Sequence, residues 1–255
     1  MAWTRRYDEA EPQRVNRWLA QNGVCSRREA EDLIVRGLVS IDGETVSDPG
    51  RKIATGQTLV LADAGGAAAL SVMLNKPVGV VSAQPEKGQV PAVRLLVAEA
   101  LVGQSPIIPD RDTSLAPLGR LDMDSHGLLI LSDDGVLAKA LIGPASDLEK
   151  EYRVRVTGAV TEAKLAKLRH GLSLDGRQLR PATVTSAGEG RLRFVLKEGR
   201  NRQIRRMCDL VKLSVGDLIR IRIGPLRLDD LPEGRWRVLT TAERDALVKA
   251  SAPPS

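Results

Sequence analysis

Apolar positions recur along this chain with helical spacing in some stretches and with alternation or short unbroken runs in others. Val15, Trp18 and Leu19 share one face of a helix predicted from Arg14, and Asn22-Gly23 ends it. Ser26-Arg-Arg-Glu29 predicts a capping box, with Ser26 as N-cap and Glu29 at the third helical position. The helix it opens carries Ala30, Leu33 and Ile34 on one face and stops at Gly37. Leu38–Ile41, an Asp42-Gly43 turn and Thr45-Val46 predict a hairpin, and Arg51–Ile53 with Thr58–Leu61 completes a small unit over 14–61. Residues 1 to about 13 are polar and are expected to be loose. The small residues Ala62–Ala69 read as a linker, placed at 62–70.

The pattern then changes over a larger domain, 71–250. Val72–Leu74 and Val78–Val81 predict two strands around Asn75-Lys-Pro77, whereas 83–118, rich in Pro and Gly, predicts little. Leu128–Leu131 is a short apolar run closed by Asp133-Asp-Gly135, so it reads as a buried strand ending in a turn, with a short helix at Val136–Ile142. From Tyr152 the chain alternates: Tyr152, Val154 and Val156 face one way, Arg153 and Arg155 the other. A helix at Thr161–Leu168 and a hairpin from Ala182–Ser186 and Leu192–Leu196 follow. Ile204, Met207, Cys208 and Val211 then fall at i, i+3, i+4 and i+7, one buried stripe of a helix.

Composition narrows the class. With 42% hydrophobic and 27% charged residues in 255, the chain is globular, and the formal charge of +6 points to a polyanionic partner. Cys25 and Cys208 form no Cys-x-x-Cys, which favours a reduced, cytoplasmic setting. No run approaches 18 apolar residues and the N-terminus lacks a signal-peptide core, so no membrane association is expected.

Three places carry candidate chemistry. Asp122 and Asp124 lie in a polar loop leading into the Leu128–Leu131 strand; by themselves they fit Asx turns, and with Gly127 and Asp133 they also fit an EF-hand-like calcium register. His126 at a ligand position, Asp in place of the final Glu, and the lack of flanking helices count against calcium. Arg27 and Arg28 occupy the first turn of a helix, where cations oppose the dipole unless an anion binds there with them. Arg200, Arg202, Arg205 and Arg206 are four arginines in seven residues with no carboxylate among them, a poor salt-bridged surface and a good phosphate binder.

These segments carry a resemblance. Gly119-Arg-Leu-Asp122 followed by Asp124-Ser-x-Gly127, the earlier Asn75-Lys-Pro-x-Gly79, Lys150-x-Tyr152 and Glu198-Gly-Arg-Asn-Arg-Gln-Ile-Arg-Arg-Met207 resemble the small-subunit-type (RsuA-like) RNA pseudouridine synthases. The tail motifs Leu218-Ile-Arg-x-Arg-Ile-Gly224-x-Leu226 and Gly234-x-Trp-Arg-x-Leu239 agree with them. Residues 14–61 resemble an S4 RNA-binding domain. Asp124-Ser125, Glu149-Lys-Glu-Tyr152 and Arg206-Met-Cys208 resemble the branch acting on 23S rRNA.

The resemblance implies an α+β protein: a small S4 domain plus a mixed, largely antiparallel-sheet catalytic domain that isomerises uridine in ribosomal RNA, 23S favoured. The reaction breaks the C1′–N1 bond, turns the uracil and rejoins it through C5, so atoms are conserved and neither cofactor nor metal is expected. It implies Asp122 as nucleophile, Tyr152 against the flipped base, and Arg200 as the guanidinium beside Asp122. It also implies Arg120 filling the vacated stack, Arg27, Arg28, Arg202, Arg205 and Arg206 on RNA, and Ile204 and Leu226 as apolar pocket walls. A cytoplasmic monomer acting on rRNA or ribosomal particles is expected. The alternatives are a 16S rRNA or tRNA synthase, or a non-catalytic RNA-binding assembly factor. Two departures from the family pattern are Lys212-Leu-Ser, where many members have a glycine turn, and a lengthened Ile107–Leu115.

Overall fold

A computed structural model describes residues 3–62, 69–110 and 113–251. The chain divides into two compact units, Met1–Ala69 with Asp134–Ala138, and Leu70–Asp133 with Lys139–Ser255. Most of the expected linker, 63–68, lies outside the described residues.

The first unit runs β1 (Trp3–Arg6), β2 (Gln13–Arg14), α1 (Val15–Gln21), α2 (Arg27–Val35), β3 (Val39–Ile41), β4 (Glu44–Thr45), β5 (Lys52–Ile53) and β6 (Thr58–Leu61). Strands β1, β6, β3 and β4 form an antiparallel sheet in that order, while β2 pairs with β5. The capping box forms as the sequence requires: the Glu29 amide donates to Ser26 Oγ at 3.2 Å, and the Ser26 amide donates to Glu29 Oε2 at 2.5 Å. Asp42 and Gly43, with φ of 51° and 86°, make the two-residue turn that joins β3 to β4.

One expectation fails. The N-terminus is not loose, because Trp3–Arg6 pairs residue by residue with Thr58–Leu61 and Tyr7 is fully buried. The reason is aromatic: Trp3 and Tyr7 each pack edge-on against Trp18, with ring centroids 5.6 and 5.3 Å away. Charged, exposed residues between the two rings hid the strand. Tyr7→Ala is therefore expected to cost about 3–5 kcal/mol, read as a lower thermal transition; an unchanged transition would refute the packing role.

The second unit contains β7 (Ser71–Lys76), β8 (Ala116–Pro117), β9 (His126–Ser132), β10 (Lys150–Thr157), β11 (Ser173–Leu174), β12 (Arg177–Gln178), β13 (Thr183–Ser186), β14 (Arg191–Leu196), β15 (Ser214–Ile223), β16 (Leu226–Arg227) and β17 (Trp236–Val238). Its helices are α3 (Gly135–Ile142, whose first turn clusters with the first unit), α4 (Glu162–Arg169), α5 (Gln203–Leu210) and α6 (Thr241–Ala250). The main sheet runs β13-β14-β10-β15-β9-β7-β17, with β16 on β15 and β8 on β9. Among the described strands of this sheet, β9 and β15 alone pair in parallel, so the sheet is mixed and largely antiparallel. Val154, Val156, Leu192 and Phe194 form one core with α4 and α5, whereas Val72, Leu74, Leu129, Leu131 and Trp236 form another.

Two local readings change. Val78–Val81 forms no strand; Val81 makes a single bridge to Pro91. The Asp133-Asp-Gly135 turn is a helix start, in which Asp134 Oδ1 accepts from the amides of Val136 and Leu137 at 2.8 and 3.0 Å. Lys212, in the Lys212-Leu-Ser stretch that departs from the expected family pattern, takes a φ of 57°, the left-handed backbone that glycine adopts without strain.

Candidate active site

The loop from Gly119 to Ser125 is tied down through its backbone. Ser82 Oγ donates to Leu121 O at 2.7 Å and accepts from the Leu121 amide at 2.9 Å. The Gly79 amide donates to Met123 O at 2.8 Å, and the Ser125 amide closes the turn onto Asp122 O at 3.1 Å. Arg205 donates to Asp124 O at 2.6 Å, and Arg220 donates to Gly119 O at 2.8 Å. Among the described residues, none donates a hydrogen bond to the Asp122 carboxylate. The chain fixes the backbone on both sides of Asp122 and leaves its oxygens available.

Asn75-Lys-Pro-x-Gly79 supports this loop from beneath. The fully buried Lys76 donates from Nζ to Pro77 O and Val80 O at 2.8 and 2.7 Å, holding the turn that presents the Gly79 amide. Burial lowers the Lys76 pKa to about 8, opposed by the Asp122 and Asp124 charges and reinforced by Arg220. Buried Asn75 donates from Nδ2 to Leu231 O at 2.7 Å.

Asp122 lines a cleft of about 430 Å³ with Arg120, Lys150, Tyr152, Ile204 and Arg220 among its walls; Leu196 and Leu218 add apolar surface. Tyr152 is half-buried, packed between the two cores, and Arg120 is exposed at the rim. Lys150, two residues before Tyr152 on the same strand face, has a lowered pKa from burial and from repulsion by Arg220. The pocket therefore brings together Asp122, Tyr152, Arg120, Arg200 and Ile204 as the sequence proposed.

Other assignments need correction. Leu226 is buried but does not line the cleft; it pairs with Ile223 in the β15–β16 hairpin, and Leu218 takes the wall position. Arg200 lines the cleft, yet its guanidinium donates to the carbonyls of Leu174, Arg177 and Gln178 at 3.0–3.2 Å and sits 3.4 Å from Glu198. Those interactions direct its donors to the β11–β12 hairpin and Glu198. The buried guanidinium in this cleft is Arg220, only 2% exposed, fixed by Leu128 O and Gly119 O at 2.8 Å each. The signal for it was present: an arginine shares the inward face of a strand with Leu218, a position that burial forbids without a specific partner.

The other arginines of this cluster meet carboxylates from distant elements. Arg202 makes a bidentate pair with Asp124 at 3.0 and 2.8 Å, and Arg205 Nε lies 3.3 Å from the same carboxylate. The Arg202 bond is the main reason the Asp124 carboxyl lies below its usual range. Arg206 pairs with Asp175 at 3.0 and 2.6 Å. Scanning seven consecutive residues for acids could not reveal partners so far away in sequence. The calcium register also fails, because Asp133 lies beyond the seven-residue strand β9, about 20 Å from the loop at roughly 3.3 Å per residue, and Asp124 is committed to arginines.

In the first unit Arg27 and Arg28 are exposed at the start of α2. Arg27 joins Arg14, Arg17 and Lys52 around a separate basic pocket that contains one carboxylate, Glu31; Arg28 lies outside it. Among the described residues, no helix is long and apolar enough to cross a membrane.

The profile of the RNA pseudouridylate synthase family matches residues 71–210, and the S4 domain profile matches 13–59. The dual-specificity RNA pseudouridine synthase RluF of Escherichia coli K12 is 34% identical over 92% of this chain and 78% of its own length. Ribosomal large subunit pseudouridine synthase B of Salmonella typhimurium is 35% identical over 92% and 82%. An RNA pseudouridine synthase of Aquifex aeolicus is 33% identical over 93% and 94%. A crystal structure of a pseudouridylate synthase superposes with a TM-score of 0.63 at 27% identity, covering 92% of this chain and 99% of that one.

Two outcomes follow from the support of the loop. Unfolded Lys76 keeps its proton to about pH 10.5 and folded Lys76 only to about 8, so the unfolded state binds more protons between these values and wild-type stability should rise with pH there. This contribution should vanish in Lys76→Met; equal pH slopes of denaturant-unfolding free energy in the two proteins would refute it. Gly127 has a φ of 101°, and a Cβ there would stand 2.3 Å from Arg220 O. Gly127→Ala should therefore cost at least about 2 kcal/mol by the same measurement, and a neutral effect would contradict the close β9–β15 approach.

Proposed function

The chain belongs to the RNA pseudouridylate synthase family, and on that footing we propose that it isomerises uridine in ribosomal RNA, with Asp122 as nucleophile. The observation that carries this reading is the loop geometry: a carboxylate without a protein hydrogen-bond donor among the described residues, in a cleft whose walls also carry Arg120, Lys150, Arg200, Arg220 and the ring of Tyr152. Large-subunit rRNA is favoured because the Salmonella relative is a ribosomal large subunit pseudouridine synthase. The protein acts as a cytoplasmic monomer on rRNA or on a ribosomal particle.

A stacked uridine cannot reach Asp122, so the target base must flip into the cleft. Arg120, exposed at the rim, fills the gap it leaves, and Tyr152 stacks on the extruded uracil. Asp122 forms the covalent adduct that separates cleavage of the C1′–N1 bond from formation of the C1′–C5 bond. Arg220 lines the cleft and Lys76 feels the Asp122 charge, so both place positive charge around the reacting group. Arg200 buttresses the cleft wall through the carbonyls it binds. Arg202 and Arg205 hold the loop through Asp124, while Arg206 ties α5 to Asp175. In the first unit, the Arg14, Arg17, Arg27 and Lys52 pocket holds RNA phosphates, with Arg28 beside Arg27 on the same helical turn.

Carbodiimide mapping with primer extension, applied to 23S and 16S rRNA from cells with and without the gene, tests the reading. One 23S stop should disappear without the gene and return with wild type but not with Asp122→Ala. An unchanged pattern in both rRNAs would overturn the proposal and redirect the search to tRNA.

A further inference from the structure

The cleft lies on the sheet face that carries α5; the opposite face has an unusual charge arrangement. β10 and β14 pair antiparallel with Arg153 opposite Arg193 and Arg155 opposite Arg191. Val154, Val156, Leu192 and Phe194 take the core side of these strands, so the four arginines stand together on the other side. Arg153, Arg155 and Arg191 are exposed, and no helix covers them. Like charges directly opposite one another destabilise a sheet, and here two such pairs are adjacent.

Nearby acids only partly compensate. Glu151 accepts from Arg193 at 2.6 Å and from Arg222 at 2.7 Å, while Glu149 accepts from Arg222 at 3.1 Å. Asp217 stands opposite Arg155 across β10–β15, but it is engaged by His126 at 2.9 Å. Among the described residues, no carboxylate hydrogen-bonds Arg153, Arg155 or Arg191. The rest of the face is Thr183 and Thr185 on β13, buried Val195 on β14 and half-buried Ile219 on β15, so it offers no aromatic or broad exposed apolar anchor for a protein partner. Three free guanidiniums on a rigid, twisted sheet, each able to fork onto a phosphate, fit a phosphodiester backbone.

We propose that this outer β10–β14 face is a further RNA-binding surface, gripping phosphates of the substrate RNA on the side of the sheet away from the cleft. RNA contacting both faces must pass the β13 edge or present two separate segments, so this surface selects a large folded RNA over an isolated stem-loop. The inference rests on RNA being the substrate and goes beyond the chemistry in the cleft.

The test uses full-length protein, an in vitro 23S rRNA transcript labelled with tritium at uracil C5, and the variant Arg153→Gln/Arg155→Gln/Arg191→Gln. Each lost phosphate contact flattens the slope of log K against log salt by about 0.7–0.9, so the variant's slope should be shallower by about 2–3. Its KM for tritium release should rise about tenfold or more at physiological salt, with kcat within about twofold and thermal stability equal or higher because cross-strand repulsion is relieved. An unchanged salt slope and KM would overturn the proposal, as would a loss of kcat with KM unchanged. A wild-type protein that released no tritium would refute 23S activity instead, and the salt slope would still decide the binding surface.

Discussion

A carboxylate that is to attack a ribose or a base must be fixed by its backbone and left unengaged at its oxygens. Around Asp122 this division is met by Ser82, Gly79, Arg205 and Arg220, which bond the peptide groups of Leu121, Met123, Asp124 and Gly119. Other features of the catalytic unit serve that constraint. Buried Lys76 shapes the turn that offers the Gly79 amide, and Gly127 lets β9 run close enough to β15 to place Arg220 beneath the loop. Displacing a reacting group by about 1 Å can cost about a hundredfold in rate, which gives these backbone ties their functional weight.

The arginine-rich start of α5 shows how charge is divided between holding the protein and meeting RNA. Arg202 adopts left-handed backbone, with a φ of 49°, and clamps Asp124 with both terminal nitrogens. Ion pairs this exposed add little net stability; their value lies in fixing where a loop sits. Arg205 and Arg206 are likewise spent on Asp124 and Asp175. In this reading the cations open to RNA include Arg120 and Lys150 in the cleft, the Arg14, Arg17, Arg27 and Lys52 pocket with Arg28 beside it, and the uncovered arginines of β10 and β14.

Local chemistry was legible in the sequence; long-range pairing was not. The Ser26–Glu29 box, the Asp42-Gly43 turn, the buried β9 strand and the apolar stripe of α5 follow from rules that operate within a few residues, and each formed. Asp122, Tyr152, Arg120 and Ile204 reached one cleft because the loop before β9, the start of β10 and the start of α5 meet there. The errors over charge pairing share one cause. Whether Arg200 or Arg220 is the buried cation and what Arg202, Arg205 and Arg206 bind depend on partners 20 to 100 residues away. The β1 strand was missed for the same reason, since its partner lies at Thr58–Leu61.

The most direct measurement compares single-turnover pseudouridine formation by Asp122→Asn and Asp124→Asn on one RNA, alongside their RNA affinities. If Asp122 is the nucleophile and Asp124 only anchors the loop, Asp122→Asn makes no product while still binding RNA, and Asp124→Asn turns over about a hundredfold more slowly. Product from Asp122→Asn together with none from Asp124→Asn would contradict that division and move the nucleophile to Asp124.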